Sequence, residues 1–166
     1  RACDFVGYSS GAYRGLALAM RKEVEVRRLV LLGGYARITE TRRRDYLALA
    51  AAARAGADVG ALAAHTMYSE DYAAAHPEAV RHLRDYVDHL PPETLIWDIE
   101  ACARADDLLP ALAYMRSAVI ARVGDKDRAV PLEQTREIAR TAPHRGKLSN
   151  EYDLSGLVKR LNELEP

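Results

Sequence analysis

Cysteine is scarce in this chain. Only Cys3 and Cys102 occur in 166 residues, far apart and with no metal-ligand spacing around either. That pattern points to free thiols in a reducing compartment, with a disulfide between the two as the other reading. A net charge is also lacking: 24 lysines and arginines stand against 24 aspartates and glutamates. Electrostatics therefore gives no reason to expect nucleic acid or an anionic membrane as partner. No apolar run approaches the roughly 18 residues that cross a bilayer, and no signal peptide opens the chain. A cytoplasmic setting is the default expectation, although a segment ahead of Arg1 could carry a signal. The dense basic run Arg42-Arg43-Arg44 beside Asp45 reads as a solvated helix start, with an anion site as the minority alternative.

The length allows one domain with one sizeable core. Arg1 is not an initiator methionine, and Ala2 to Gly7 looks like the last part of a strand, so more chain is expected ahead of it. Tyr8 to Gly11 forms a turn, and the apolar residues Ala12 and Leu16 to Met20 follow at helix-forming positions. Val26 to Leu32 is an apolar run interrupted only by Arg27 and Arg28 and stopped by Gly33-Gly34, as in a buried parallel strand. Strand, helix and strand make a βαβ unit.

From Ile38 to about Ala113 no strand pattern appears. Tyr46 to Ala64 and Asp71 to Leu90 favour helices, and Glu93 to Leu109 reads as another amphipathic helix that Pro110 closes or kinks. Ser117 to Val123 is the next strand, ending at Gly124-Asp125-Lys126-Asp127, and Pro131 opens a helix to about Ala142. Lys147 to Leu154 is a weaker strand candidate and Leu157 to Leu164 a final helix, for four strands at most. The expected organisation is a core over 1–37, a helical insertion over 38–113 and a second core segment over 114–166.

Gly7-Tyr8-Ser9-Ser10-Gly11 matches G-x-S-x-G, which holds a serine on a tight strand-to-helix turn while the flanking glycines let backbone approach closely. Ser9 sits at the apex. The amide of Ser10, at the helix start, is placed to donate to a developing oxyanion. A glycine-rich turn that happens to contain serine is the plainer reading of five such residues. The preceding apolar strand, the following helix and the next strand ending in Gly-Gly favour the nucleophile turn.

On these motifs the chain resembles an α/β-hydrolase, from the serine turn through a helical cap to Gly124-Asp125-Lys126-Asp127-Arg128-Ala129-Val130-Pro131. The fold class this implies is α/β: the C-terminal half of a hydrolase sheet, with parallel strands, flanking helices and an inserted cap. The resemblance also implies that Asp127 is the acid that orients the catalytic histidine, with Asp125 a turn residue. Helix capping or loop tightening is the structural alternative for Asp127. Four further strands are implied before the serine turn, one followed by a loop that gives a second oxyanion donor. A missing N-terminal segment or a second chain is accordingly expected to cover the first strand, which would otherwise be an open edge.

A serine needs an adjacent base. The family pattern for that histidine fits Ser155-Gly156-Leu157-Val158-Lys159-Arg160-Leu161-Asn162-Glu163, which puts Leu157 where the histidine should stand, and leucine moves no proton. His144, in Ala142-Pro143-His144-Arg145-Gly146, is the one rescue, although the helix before it should carry it toward the other end of the sheet. His65, His76, His82 and His89 fall in the helical block. His82 and His89 lie two helical turns apart on one face but lack a convincing third ligand, so no metal is expected. Trp97, Tyr46, Tyr68, Tyr72, Tyr86 and Tyr114 are read as ordinary helix packing rather than pocket lining.

Two functions follow. One is a serine hydrolase acting on a small-molecule ester, amide or related acyl bond without a cofactor. Ser9 would be the nucleophile, the Ser10 amide an oxyanion donor, Asp127 the acid and the base His144, or lost at Leu157. The alternative is a non-catalytic relative that binds a ligand or partner.

Overall fold

A computed structural model of the chain describes residues 2–21, 23–127 and 129–143. In order, the elements are β1 (Ala2–Tyr8), α1 (Ser10–Ala19), β2 (Glu25–Leu32), α2 (Glu40–Arg54), α3 (Val59–Met67), α4 (Glu70–Ala75), α5 (Pro77–Asp88), α6 (Pro92–Ala103), α7 (Leu109–Leu112), β3 (Ala118–Arg122) and α8 (Leu132–Thr141). The strand and helix expected beyond residue 146 lie outside the described residues, as do His144 and Leu157.

The chain packs as two compact units. Among the described residues, one comprises the stretches within 2–37, 107–125 and 130–143, and the other those within 38–106 and 126–129.

The first unit is built on a parallel sheet of order β1-β2-β3. Its central strand is the apolar run read from the sequence, and Leu29, Val30 and Leu31 are fully buried. Pairing Leu29 with Val119 and Leu31 with Ala121 sets these four on one face, where Ala12 and Leu16 of α1, Leu112 of α7 and Ile138 of α8 close a single core. Truncating any of the large residues in this cluster to alanine costs roughly 2–5 kcal/mol. Val30 and Ile120 share the other face. In β1, Phe5 turns toward α1, where a side chain on Gly15 would stand 2.7 Å from its ring, so helix and strand meet at a glycine. The alternate residues Val6 and Tyr8 are 57% and 55% exposed, and among the described strands β1 bonds only to β2.

The second unit is helical. Each of three helices starts at a side chain that accepts a backbone amide three residues on: Thr39 from Arg42, Asp58 from Ala61 and Ser69 from Tyr72. Such caps satisfy donors the helix itself cannot. Ala50 of α2 packs with Ile96 and Ile99 of α6, and Tyr46, Leu49 and Leu95 border them.

The amphipathic pattern read through Leu109 stops at Ala103, and Pro110 neither closes nor kinks that helix but sits in the first turn of α7. Proline suits a first turn because its missing amide would be unsatisfied there in any case. One tertiary and one local bond mark the break: the Leu108 amide bonds the Ala36 carbonyl at 2.9 Å, and the Leu109 amide bonds Asp107 Oδ1 at 2.9 Å.

Candidate active site

Ser9 joins β1 to α1 with φ 52° and ψ −120°, and it is the one non-glycine at positive φ among the described residues. A side chain held there costs on the order of 1–3 kcal/mol. The strain persists because the backbone is fixed on both sides. The Ser9 amide donates to the Leu32 carbonyl at 2.9 Å, and the Ser9 carbonyl accepts from Ala12 at 3.0 Å. Ser9 occupies the N-cap position of α1, where serine ordinarily bonds a helix amide, yet its side chain makes no capping hydrogen bond. The Ser10 amide stands at the positive end of the ten-residue helix α1.

The two glycines of the motif are not equivalent. A Cβ on Gly7 would meet the Gly11 carbonyl oxygen at 2.5 Å and the Ala12 Cα at 2.7 Å, so only glycine lets α1 sit on the strand end. A Cβ on Gly11 would meet nothing within 4 Å. Close backbone approach therefore requires glycine at Gly7 and not at Gly11.

The end of β2 is shaped to match. Gly33 takes φ 55°, and a Cβ on Gly34 would lie 2.9 Å from that of Ala12. The buried Thr135 hydroxyl donates to the Gly34 carbonyl at 3.0 Å, tying α8 to this turn. Just beyond it, buried Tyr35 stacks on Tyr13 with ring centroids 5.5 Å apart.

Asp127 belongs to the second unit's short segment 126–129, whereas Ser9 belongs to the first unit. Its Oδ1 accepts the Ala129 amide at 2.9 Å, a bond that tightens the loop, while Asp125 is exposed. Lys126 Nζ pairs with Asp71 Oδ2 at 2.7 Å, and this hydrogen bond holds the Asp71 carboxyl below its ordinary pKa. The Ala129 carbonyl accepts from Arg42 Nη2.

The basic run does open a helix, as expected, but Arg42 and Arg43 are not solvated. Both are half-buried. Arg42 holds the 126–129 segment, and Arg43 donates to the carbonyls of Ala103 and Ala105 at the end of α6. Arg44 alone of the three is exposed. The signal in the sequence was the run itself together with Tyr46 one turn on, whose ring lies 5.9 Å from the Arg42 guanidinium. Burial pushes the Tyr46 phenol up to about 12; Cys102, Asp98 and Asp127 act in the same direction and Arg42 opposes them.

His65, His76, His82 and His89 are all exposed. His76 pairs with Glu78 at 3.2 Å and lies against Tyr72, which in turn lies against Tyr68. Trp97, Tyr86 and Tyr114 are exposed rather than packed, at 67%, 64% and 86%. Cys3 and Cys102 are not joined in a disulfide. Among the described residues no three metal-ligating side chains converge, and no helix is long and apolar enough to cross a membrane. The second unit contains a cleft of about 310 Å³ between Ala53, Val59, Arg84, Val87, Asp88 and Leu95.

No protein-family model matches the sequence, and no curated protein does. Solved structures do. A hydrolase from Pseudomonas aeruginosa PA01 matches with a TM-score of 0.81 over 98% of this chain and 62% of its own, at 19% identity. The enol-lactonase from Burkholderia xenovorans LB400 matches at 0.80 over 96% and 61%, at 24% identity. An α/β hydrolase enzyme from a Medee basin deep-sea metagenome library matches at 0.80 over 99% and 66%, at 15% identity.

The chain has the α/β-hydrolase fold. It spans less than two thirds of each of these three structures. The parallel sheet with flanking helices, expected from the serine turn and the apolar strands, is that of part of an α/β-hydrolase.

Proposed function

We propose that the protein is a serine hydrolase that cleaves a small-molecule ester or related acyl bond. The observation that carries this is Ser9: a strained serine at the head of a helix, its hydroxyl not used to cap that helix. Strain of this kind is retained where function needs the geometry. In this reading the Ser9 hydroxyl attacks the carbonyl, and the Ser10 amide, aided by the α1 dipole, stabilises the oxyanion. Asp127 orients the base. The enol-lactonase among the similar structures is in keeping with an ester or lactone carbonyl as electrophile. The fold alone does not choose the reaction, so the weight rests on the serine.

His144 is the one histidine after Asp127, and Leu157 stands where the resemblance expects the base. Leu157 favours a second reading, a ligand-binding relative that keeps the serine turn without turnover. Hydrolysis of an activated aryl ester and of simple lactones by the full-length protein, set against Ser9→Ala and His144→Ala, separates these. Turnover lost in both variants supports the hydrolase with His144 as base. Equal turnover in wild type and Ser9→Ala removes Ser9 from the reaction.

A further inference from the structure

The segment that holds Asp127 is fastened to the helical unit at both ends. At one end Lys126 pairs with Asp71 of α4 at 2.7 Å, with side chains 65% and 82% exposed. A pair so open to solvent contributes little to holding a loop. At the other end the contact is half-buried and of a different kind. Ala129 makes two backbone bonds: its amide donates to Asp127 Oδ1 at 2.9 Å, and its carbonyl accepts from Arg42 Nη2. A charged donor on a partly desolvated carbonyl is among the stronger hydrogen bonds a protein makes.

Arg42 is itself held in place. Its own amide is the one that caps onto Thr39 Oγ1, so its position in the first turn of α2 is set. Its guanidinium lies over the Tyr46 ring, and Tyr46 borders the Ala50, Ile96 and Ile99 cluster. A planar cation lying over a ring that borders a packed cluster loses little freedom when it donates.

We propose that Arg42 is the positioning residue for Asp127 and acts through the backbone of Ala129. The inference rests on the reading of Asp127 as the acid of the site. Arg42 does not touch the reacting atoms. It fixes Ala129, and Ala129 fixes the carboxylate that must meet the base in one orientation. The helical unit thereby sets the geometry of the acid.

The test is the rate at which a fluorophosphonate labels Ser9 in the full-length protein, compared among wild type, Asp127→Asn, Arg42→Gln, Arg42→Lys and the double variant Asp127→Asn/Arg42→Gln. Thermal unfolding of each is followed in parallel. Asp127→Asn is expected to slow labelling on the order of a thousandfold, since a base without its orienting acid is nearly idle. Arg42→Gln should slow it about tenfold, as for loss of one charge-assisted hydrogen bond, with the protein still folded at the assay temperature. Arg42→Lys, which keeps a cationic donor, should recover most of that loss. In the Asp127→Asn background Arg42→Gln should cost nothing further, because residues that act as a unit are not additive.

If Asp127→Asn slows labelling while Arg42→Gln does not, the positioning role is wrong and the reading of Asp127 stands. If Arg42→Gln costs the same factor with and without Asp127, Arg42 does not act through the acid, and the proposal fails. If wild type is not labelled, or Asp127→Asn labels as fast as wild type, the reading of the acid fails and takes the proposal with it.

Discussion

The amide of Ser9 donates to the carbonyl of Leu32 across 2.9 Å, so the residue that turns β1 into α1 is fastened to the end of the neighbouring strand. The sheet on one side and α1 on the other enforce a backbone conformation that serine avoids.

Removing that strain should stabilise the protein. Ser9→Gly is expected to raise stability by about 1 kcal/mol, because glycine accepts φ 52° without the side-chain penalty, less what it loses in chain entropy. Ser9→Ala keeps a Cβ and should not show the gain. Urea unfolding of the three proteins measures the difference; a destabilised Ser9→Gly would mean the turn is not strained.

The two motif glycines should respond in opposite ways. Gly7→Ala drives a methyl into the α1 backbone and is expected to cost at least ~2 kcal/mol, as overpacking against backbone does. Gly11→Ala enters open space inside a helix and should be neutral or gain up to ~1 kcal/mol. Thermal unfolding midpoints of both variants decide this, and equal losses would contradict it.

These glycines also show what the sequence could and could not reveal. The apolar run ending in Gly33-Gly34 and the Gly7–Gly11 turn are local patterns, and β2, α1 and the serine turn follow from them because strand period and turn chemistry act over a few residues. The end of α6 was not legible in the same way. The carbonyl of its last residue, Ala103, is taken by Arg43, 60 positions away, and Arg42 reaches a carbonyl 87 positions away. A side chain bonded to distant backbone leaves no partner residue type to recognise, so three arginines in a row looked like a solvated surface. Pro110 misled for a related reason: a proline after an amphipathic stretch marks a helix end or a helix start, and only the bond from Leu108 to Ala36 chooses between them.

Tyr46 gives an alkaline signature. A phenol whose pKa rises on folding from 10.0 to about 12 favours the folded state while it is neutral. That contribution is fully present below pH 10 and is lost as pH rises toward about 12. Wild type is therefore expected to lose thermal stability across this window more steeply than Tyr46→Phe. Parallel curves for the two proteins would show that burial does not hold the phenol neutral.

The exposed strand β1 carries a prediction about association. With Val6 57% exposed on a strand that bonds only to β2 among the described strands, the 166-residue chain produced alone should self-associate. Val6→Lys should reduce that association, since a charge on an exposed strand opposes strand addition. Light scattering after size-exclusion chromatography reads both. A wild-type chain that stays monomeric at high concentration would count against an additional segment or chain pairing with β1.

The most direct measurement is the intact mass of the full-length protein before and after a fluorophosphonate, with Ser9→Ala alongside. The reading of Ser9 as an activated nucleophile predicts a single adduct in the wild type and none in the variant. An unmodified wild type, or an adduct that persists when Ser9 is alanine, would contradict it.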